Sequence, residues 1–274
     1  MPTAHAEETF EEAGSGAPMS SSGAQKVAPV TVAFWIIKIL STGMGETTSD
    51  FLVRRFDPVP VVLLSGVALA AVLVLQLAVR RYDAWRYWIA VVMVSVFGTM
   101  AADVIHIVFG VPYLASTIFF AAALALILAT WRKFEGSLSI HSVNTFRREL
   151  FYWATVLTTF ALGTAAGDMT ATTLSLGYFA SGVVFACVIV VPLIGFLAFR
   201  MNAVFAFWFA YVVTRPLGAS FADWMGVPPS RGGLDWGTGP VSLVLAIVIL
   251  GLVAWVARAQ YDEKGDFAVK QRSA

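Results

Sequence analysis

The chain has 274 residues, of which 58% are apolar and 13% charged, with 9 Trp, 21 Phe and a formal net charge of +1. A mean hydropathy of +0.78 excludes an ordinary soluble domain, and the near-neutral charge gives no footing for nucleic-acid binding. The single cysteine, Cys187, excludes an intramolecular disulfide and a cysteine-cluster metal site, and reads as a small packing residue.

Residues 1–30 hold Glu7, Glu8, Glu11 and Glu12 among Ser, Gly and Ala. They have neither a basic n-region nor an apolar h-region, so they read as a disordered acidic tail and not as a signal peptide. Eight apolar runs follow at about 31–53, 60–79, 87–108, 113–131, 150–171, 175–198, 202–224 and 239–257. Each approaches the roughly 20 residues that cross the hydrocarbon core of a bilayer. The expectation is an all-α integral membrane domain of eight transmembrane helices over 31–258, followed by a cytoplasmic tail at 259–274. With the N-terminus in the cytoplasm, Lys26, Arg80, Arg81, Arg86, Arg132, Lys133, Arg147, Arg148, Arg200, Arg258, Lys264, Lys270 and Arg272 all fall inside. Only Arg54, Arg55 and Arg231 fall outside, while Lys38 and Arg215 lie within helices. Both termini are therefore expected on the cytoplasmic side.

The odd-numbered helices carry one spacing. Trp35 precedes Gly45 and Asp50; Trp88 precedes Gly98 and Asp103; Trp153 precedes Gly163 and Asp168; Trp208 precedes Gly218 and Asp223. This W-x9-G-x4-D array divides the domain into four two-helix repeats at about 31–80, 86–132, 150–199 and 202–258. A two-helix unit returns each copy to the same orientation, which makes the repeats parallel. Four residues beyond each glycine stands Ser49, Ala102, Gly167 or Ala222, a small-xxx-small pattern that lets helices approach closely in a bilayer. Helices one, three, five and seven should thus pack centrally with Gly45, Gly98, Gly163 and Gly218 at their contacts. Trp35, Trp88, Trp153 and Trp208 read as interfacial anchors.

A polar stripe runs beside the glycines: Lys38, Thr42, Glu46 and Asp50 in the first repeat, Ser95, Thr99 and Asp103 in the second, Thr164 and Asp168 in the third, Arg215 and Asp223 in the fourth. Fifteen residues past an interfacial tryptophan is about 22 Å, so the aspartates lie roughly 5 to 8 Å beneath the outer boundary. Helix capping does not explain them, because the macrodipole disfavours a carboxylate at a C-terminal end. Glu46, Asp50, Asp103, Asp168 and Asp223 are the candidate cation- and proton-binding groups. As a set they are also the candidate ligands of a hard divalent metal ion, the one bound species the residues suggest. Lys38 and Arg215 are the charge-pair or gating candidates. Arg215 either bridges to Glu46 across the first and last repeats or, like Lys38, snorkels to the cytoplasmic face. Pro216 beside it marks a gate or a packing bend. His106 tilts the site toward a transition metal if it faces inward, and otherwise is an interfacial residue. The stretch 133–149 reads either as a segment on the anionic inner leaflet, through Phe134, Ile140, Val143 and Phe146, or as an ordinary connection.

The four tandem units with their tryptophans and the opening KILSTGMGETTSD resemble a family of bacterial membrane-anchored proteins built of a repeat of unknown function. That resemblance implies the repeat fold and a bacterial inner-membrane location, and it brings no activity with it. No protease, hydrolase or nucleotide-binding motif occurs, so an enzyme is not expected. The expected partners are lipid, a small cation and protons. The function expected from the stripe is a cation transporter or channel, with a divalent metal such as Mn2+ favoured and proton coupling through the acids as an option. The alternative is a scaffold or sensor whose stripe only fixes helix packing.

Overall fold

Each motif helix starts at a side chain that caps it. Thr31 accepts from the Phe34 amide, Asp83 from Arg86, Thr145 from Arg148, and Asn202 from Val204 and Phe205. These side chains supply acceptors for amides that the first helical turn leaves unpaired. The computed structural model describes residues 25–272. The apolar runs form α1 (Val32–Arg55), α2 (Pro58–Leu77), α3 (Ala84–Ile107), α4 (Tyr113–Glu135), α5 (Phe146–Asp168), α6 (Tyr178–Phe199), α7 (Ala203–Gly226) and α8 (Thr238–Arg272), with no strand among the described residues. Helix α8 continues through most of the stretch that the sequence assigns to a C-terminal tail. Seven of the eight helices are long and apolar enough to cross a membrane. The exception is α1, whose apolar surface is interrupted by Lys38, Glu46, Asp50 and a run of Ser, Thr and Gly.

The motif helices touch in a closed cycle: α1 on α3, α3 on α5, α5 on α7, and α7 back on α1. The plain helices lie outside this cycle. Helix α2 packs chiefly on α3, α4 on α5, α6 on α7, and α8 on α1. Each plain helix therefore leans on the motif helix of the following repeat, and α8 completes the circle. Burial follows the same division. In their most apolar stretches, α3, α5 and α7 have 56 to 61% of residues buried, whereas α2, α4, α6 and α8 have 6 to 22%. The outer helices turn Leu63, Val67, Phe119, Leu126, Leu197 and Ile247 outward. This is the inverse of a water-soluble bundle and suits lipid as the surrounding solvent.

The glycines lie at the helix contacts. A Cβ on Gly45 would overlap Ser95 of α3; on Gly98, it would lie 2.8 Å from Phe160 of α5; on Gly163, it would overlap Arg215 of α7; and on Gly218, it would lie 2.7 Å from the Ile39 carbonyl of α1. Every motif glycine thus faces the next motif helix in the cycle, where only a hydrogen fits.

Near their N-terminal ends the same four helices share an aromatic layer. Ring centroids lie 5.7 Å apart for Phe34 and Trp88, 5.7 Å for Tyr87 and Trp153, 6.1 Å for Tyr152 and Trp208, and 5.6 Å for Trp35 and Phe207. Trp88, Trp153 and Trp208 are 2, 3 and 5% exposed. These three are corrected from interfacial anchors to core residues: they face neighbouring motif helices and close this end of the ring. Trp35 is half-buried.

The N-terminal expectation also changes. The acidic part of the tail, with Glu7, Glu8, Glu11 and Glu12, lies outside the described residues, but residues 25–28 are a packed strap. The Lys26 ammonium lies 2.6 Å from Glu149 Oε2 and donates to the Leu77 carbonyl, while Gln76 donates to Glu149 Oε1 at 3.1 Å. The Lys26 amide donates to the Val143 carbonyl, and Val27 and Ala28 are buried. In the 133–149 connection Ile140 and Val143 are likewise buried in the protein, whereas Phe134 and Phe146 are exposed. Arg147 and Arg148 both bind Glu135.

Candidate functional site

Four layers of side chains stack inside the ring, one helical turn or about 6 Å apart. Three residues after each tryptophan stand Lys38, Val91, Val156 and Tyr211. Seven after stand Thr42, Ser95, Phe160 and Arg215; eleven after, Glu46, Thr99, Thr164 and Ala219. All twelve are buried. Fifteen after stand the aspartates Asp50, Asp103, Asp168 and Asp223.

The second and third layers hold one ion pair. Arg215 Nη2 lies 2.7 Å from Glu46 Oε2. The same nitrogen donates to Thr164 Oγ1 at 2.7 Å and to Thr99 Oγ1, and Nη1 donates to the Thr42 carbonyl at 3.1 Å. Thr99 and Thr164 approach the same carboxylate oxygen at 3.3 and 3.5 Å. All four repeats therefore contribute to one charged pair: carboxylate and carbonyl from the first, hydroxyls from the second and third, guanidinium from the fourth. Arg215 bridges to Glu46 and does not snorkel. The shared register of Thr99 and Thr164 with Glu46, eleven residues after their tryptophans, was the available signal that these threonines act with it.

Lys38 does not snorkel either. Its ammonium has no hydrogen-bond partner among the described residues and lies 4.0 Å from the Phe160 ring centroid and 4.4 Å from that of Tyr211. The Arg215 guanidinium is 5.1 Å from the same Phe160 ring. One ring thus lies close to both basic groups, within the range where an aromatic face attracts a cation.

The aspartate layer is more open. Asp50 binds Arg54 one turn on at 2.5 Å, Asp223 is buried, and Asp103 and Asp168 are half-buried. Among the described residues, Asp103, Asp168 and Asp223 have no ion pair. Beyond this layer Arg231, in the short turn Pro229–Arg231, donates to the Tyr178 hydroxyl at 2.5 Å. Partial burial opposes the Arg231 charge, but Tyr178, Asp50 and Asp223 outweigh it and raise its pKa. A cation therefore lies within electrostatic reach of Asp50 and Asp223 at this end of the ring.

Among the described residues no three His, Cys, Asp or Glu side chains gather closely enough to hold an ion. Glu46 is turned to Arg215, Asp50 to Arg54, and the other three acids project from separate helices around the ring. His106 lies outside any such group. Its Nδ1 is 2.9 Å from the Val111 carbonyl, its Nε2 3.0 Å from Ser116 Oγ, and its ring packs on Tyr113. It ties the α3–α4 connection together. Pro216 sits within α7 against Gly163 and Gly167.

One family pattern, described as Repeat of Unknown Function (DUF347), matches the chain four times, at residues 33–82, 86–137, 151–202 and 206–261. No curated protein and no solved structure matches it.

Proposed function

This chain belongs to the family of the Repeat of Unknown Function (DUF347), and we propose that it is a proton-coupled membrane transporter for a small cation. The four aspartates form its outer vestibule, and the Arg215–Glu46 pair bars the axis below them. The observation that carries the reading is that pair: one ion pair, buried at the centre of the ring and held by all four repeats, beneath a layer of carboxylates of which three have no ion pair among the described residues. Static packing does not require it, since well-packed apolar residues serve as well or better than a buried ion pair. A cation drawn in by the aspartates competes with Arg215 for Glu46, and movement of the guanidinium opens the axis. The transported ion is a hard divalent cation such as Mn2+. Carboxylate and water ligands suit such an ion, and meeting one or two carboxylates at a time fits acids that do not converge on one point.

The proposed setting is a bacterial cytoplasmic membrane with both termini inside. The four repeats run parallel, a reading supported by the aromatic layer that their N-terminal ends share. A second reading, a scaffold locked by its polar stripe, is favoured by the three side chains that converge on Glu46 Oε2.

Flux through proteoliposomes, measured with a panel of monovalent and divalent cations, separates the two. Asp103→Asn, Asp168→Asn and Asp223→Asn each keep the shape of the side chain and should reduce flux at least about tenfold, roughly 1.4 kcal/mol in binding terms, without loss of folding. Unchanged flux in the quadruple variant that adds Asp50→Asn would reject the transporter and leave the scaffold.

A further inference from the structure

Lys38 is the charge that the central pair leaves over. It is fully buried, its ammonium has no acceptor among the described residues, and the carboxylate above it, Glu46, is bound to Arg215. The groups around it can be named helix by helix. Glu46 lies two turns along its own helix α1. From α3 come Val91, level with it, and Tyr87, one turn toward the closed end. Helix α5 brings Phe160, Val156 and Tyr152, and α7 brings Tyr211 and Arg215. Helix α2 and the membrane-length part of α8 contain no titratable side chain before Arg258. On the side away from the ion pair, the Tyr87 and Tyr152 hydroxyls are 2.6 Å apart, while that of Tyr211 has no hydrogen-bond partner among the described residues.

Each electrical state of this site carries its own cost. The ammonium gains two ring faces but forgoes hydration and any counter-charge. The free amine leaves Arg215 and Glu46 as a balanced pair. We propose that Lys38 is the proton-exchanging group of the transport axis, giving up its proton as a cation enters from the aspartate layer and recovering it when the cation leaves. The N–H bond breaks with its electron pair remaining on Nζ. Once the guanidinium has moved, the proton passes from Nζ to a water molecule admitted to the opened axis, which leaves as hydronium by the aspartate layer. Cation and proton thus exclude one another by Coulomb repulsion, with no ligand in common.

The inference rests on the cation reading for its role, but the titration itself needs no flux. The full chain in nanodiscs, labelled with 15N at lysine Nζ, is followed from about pH 5 to 9, a window that ordinary lysines do not enter. The Lys38 resonance is identified by its loss in Lys38→Met. It should move between the ammonium and amine positions within that range. In proteoliposomes, Lys38→Met and the permanently charged Lys38→Arg should both lose the response of cation flux to an imposed pH gradient. A Lys38 resonance fixed at the ammonium position throughout would overturn the proposal, as would an unchanged gradient response in both variants. If Lys38 titrates while the wild type moves no cation, the transport reading fails and the proton site stands.

Discussion

Arg215 shows how much rests on a single side chain. It is fully buried, donates to three repeats beyond its own, and pairs with a carboxylate that is itself buried. Removing one member leaves the other charged and stranded. Arg215→Met should therefore destabilise the protein by about 3 to 5 kcal/mol, while Arg215→Met combined with Glu46→Met should recover most of that loss, because two apolar chains can pack where the pair stood. Thermal unfolding in detergent reads both; equal destabilisation by the single and double variants would contradict the pairing. The same logic holds at the other end of the ring, where Glu149 is fully buried and takes its charge partner from the strap. Lys26→Met should lower the midpoint more than Glu149→Gln, because only the former leaves a buried carboxylate without its cation.

Among the helices, the glycines divide into those that meet a neighbour and those that do not. A Cβ at Gly218 meets the Ile39 carbonyl at 2.7 Å and Thr42 at 3.0 Å, atoms of an adjacent helix that cannot swing aside, whereas Gly251 in α8 has nothing within 4 Å. Gly218→Ala should cost about 1 to 3 kcal/mol by forcing α7 away from α1. Gly251→Ala should be neutral or stabilising by up to about 1 kcal/mol, through helix propensity alone. Unfolding midpoints of the two variants side by side test this division, and equal shifts would count against the close-packed ring. The small-xxx-small spacing made this contact legible in the sequence, since glycine at a fixed register in four helices has few other uses in an apolar segment. The tryptophans were less legible. An indole suits a headgroup boundary and a protein core equally, and only the presence of aromatic neighbours on adjacent helices decides between them.

At the scale of the whole molecule, the chain closes on itself through α8, which leaves the last repeat to cover α1. Ser242 of α8 donates to Thr47 of α1 at 2.8 Å. Thr47→Cys with Ser242→Cys, in a background with Cys187→Ala, should form an intramolecular disulfide on mild oxidation, seen as a reducible gel shift. A pair at Thr47 and an outward position of α4, such as Leu126→Cys, should not. Cross-linking of the second pair and not the first would refute the closed cycle.

Local physics made several features legible in the sequence alone. Apolar run length marked eight long helices, seven of which are apolar enough to cross a membrane. The W-x9-G-x4-D register set four equivalent units, and the four-residue step of the stripe set which side chains share a face. The Arg215–Glu46 bridge could be drawn from helical rise, but snorkelling remained the alternative. What removed it was the presence of Thr42, Thr99 and Thr164 around one guanidinium. Tertiary structure also decided that each plain helix leans on the following repeat, that residues 25–28 leave the tail for a buried ion pair, and that the acids spread around the ring without gathering on one point. The reason is common to all three. Periodicity states which residues lie on a face, whereas partner choice depends on which faces meet, and this is settled by competition among helices whose own sequences look alike.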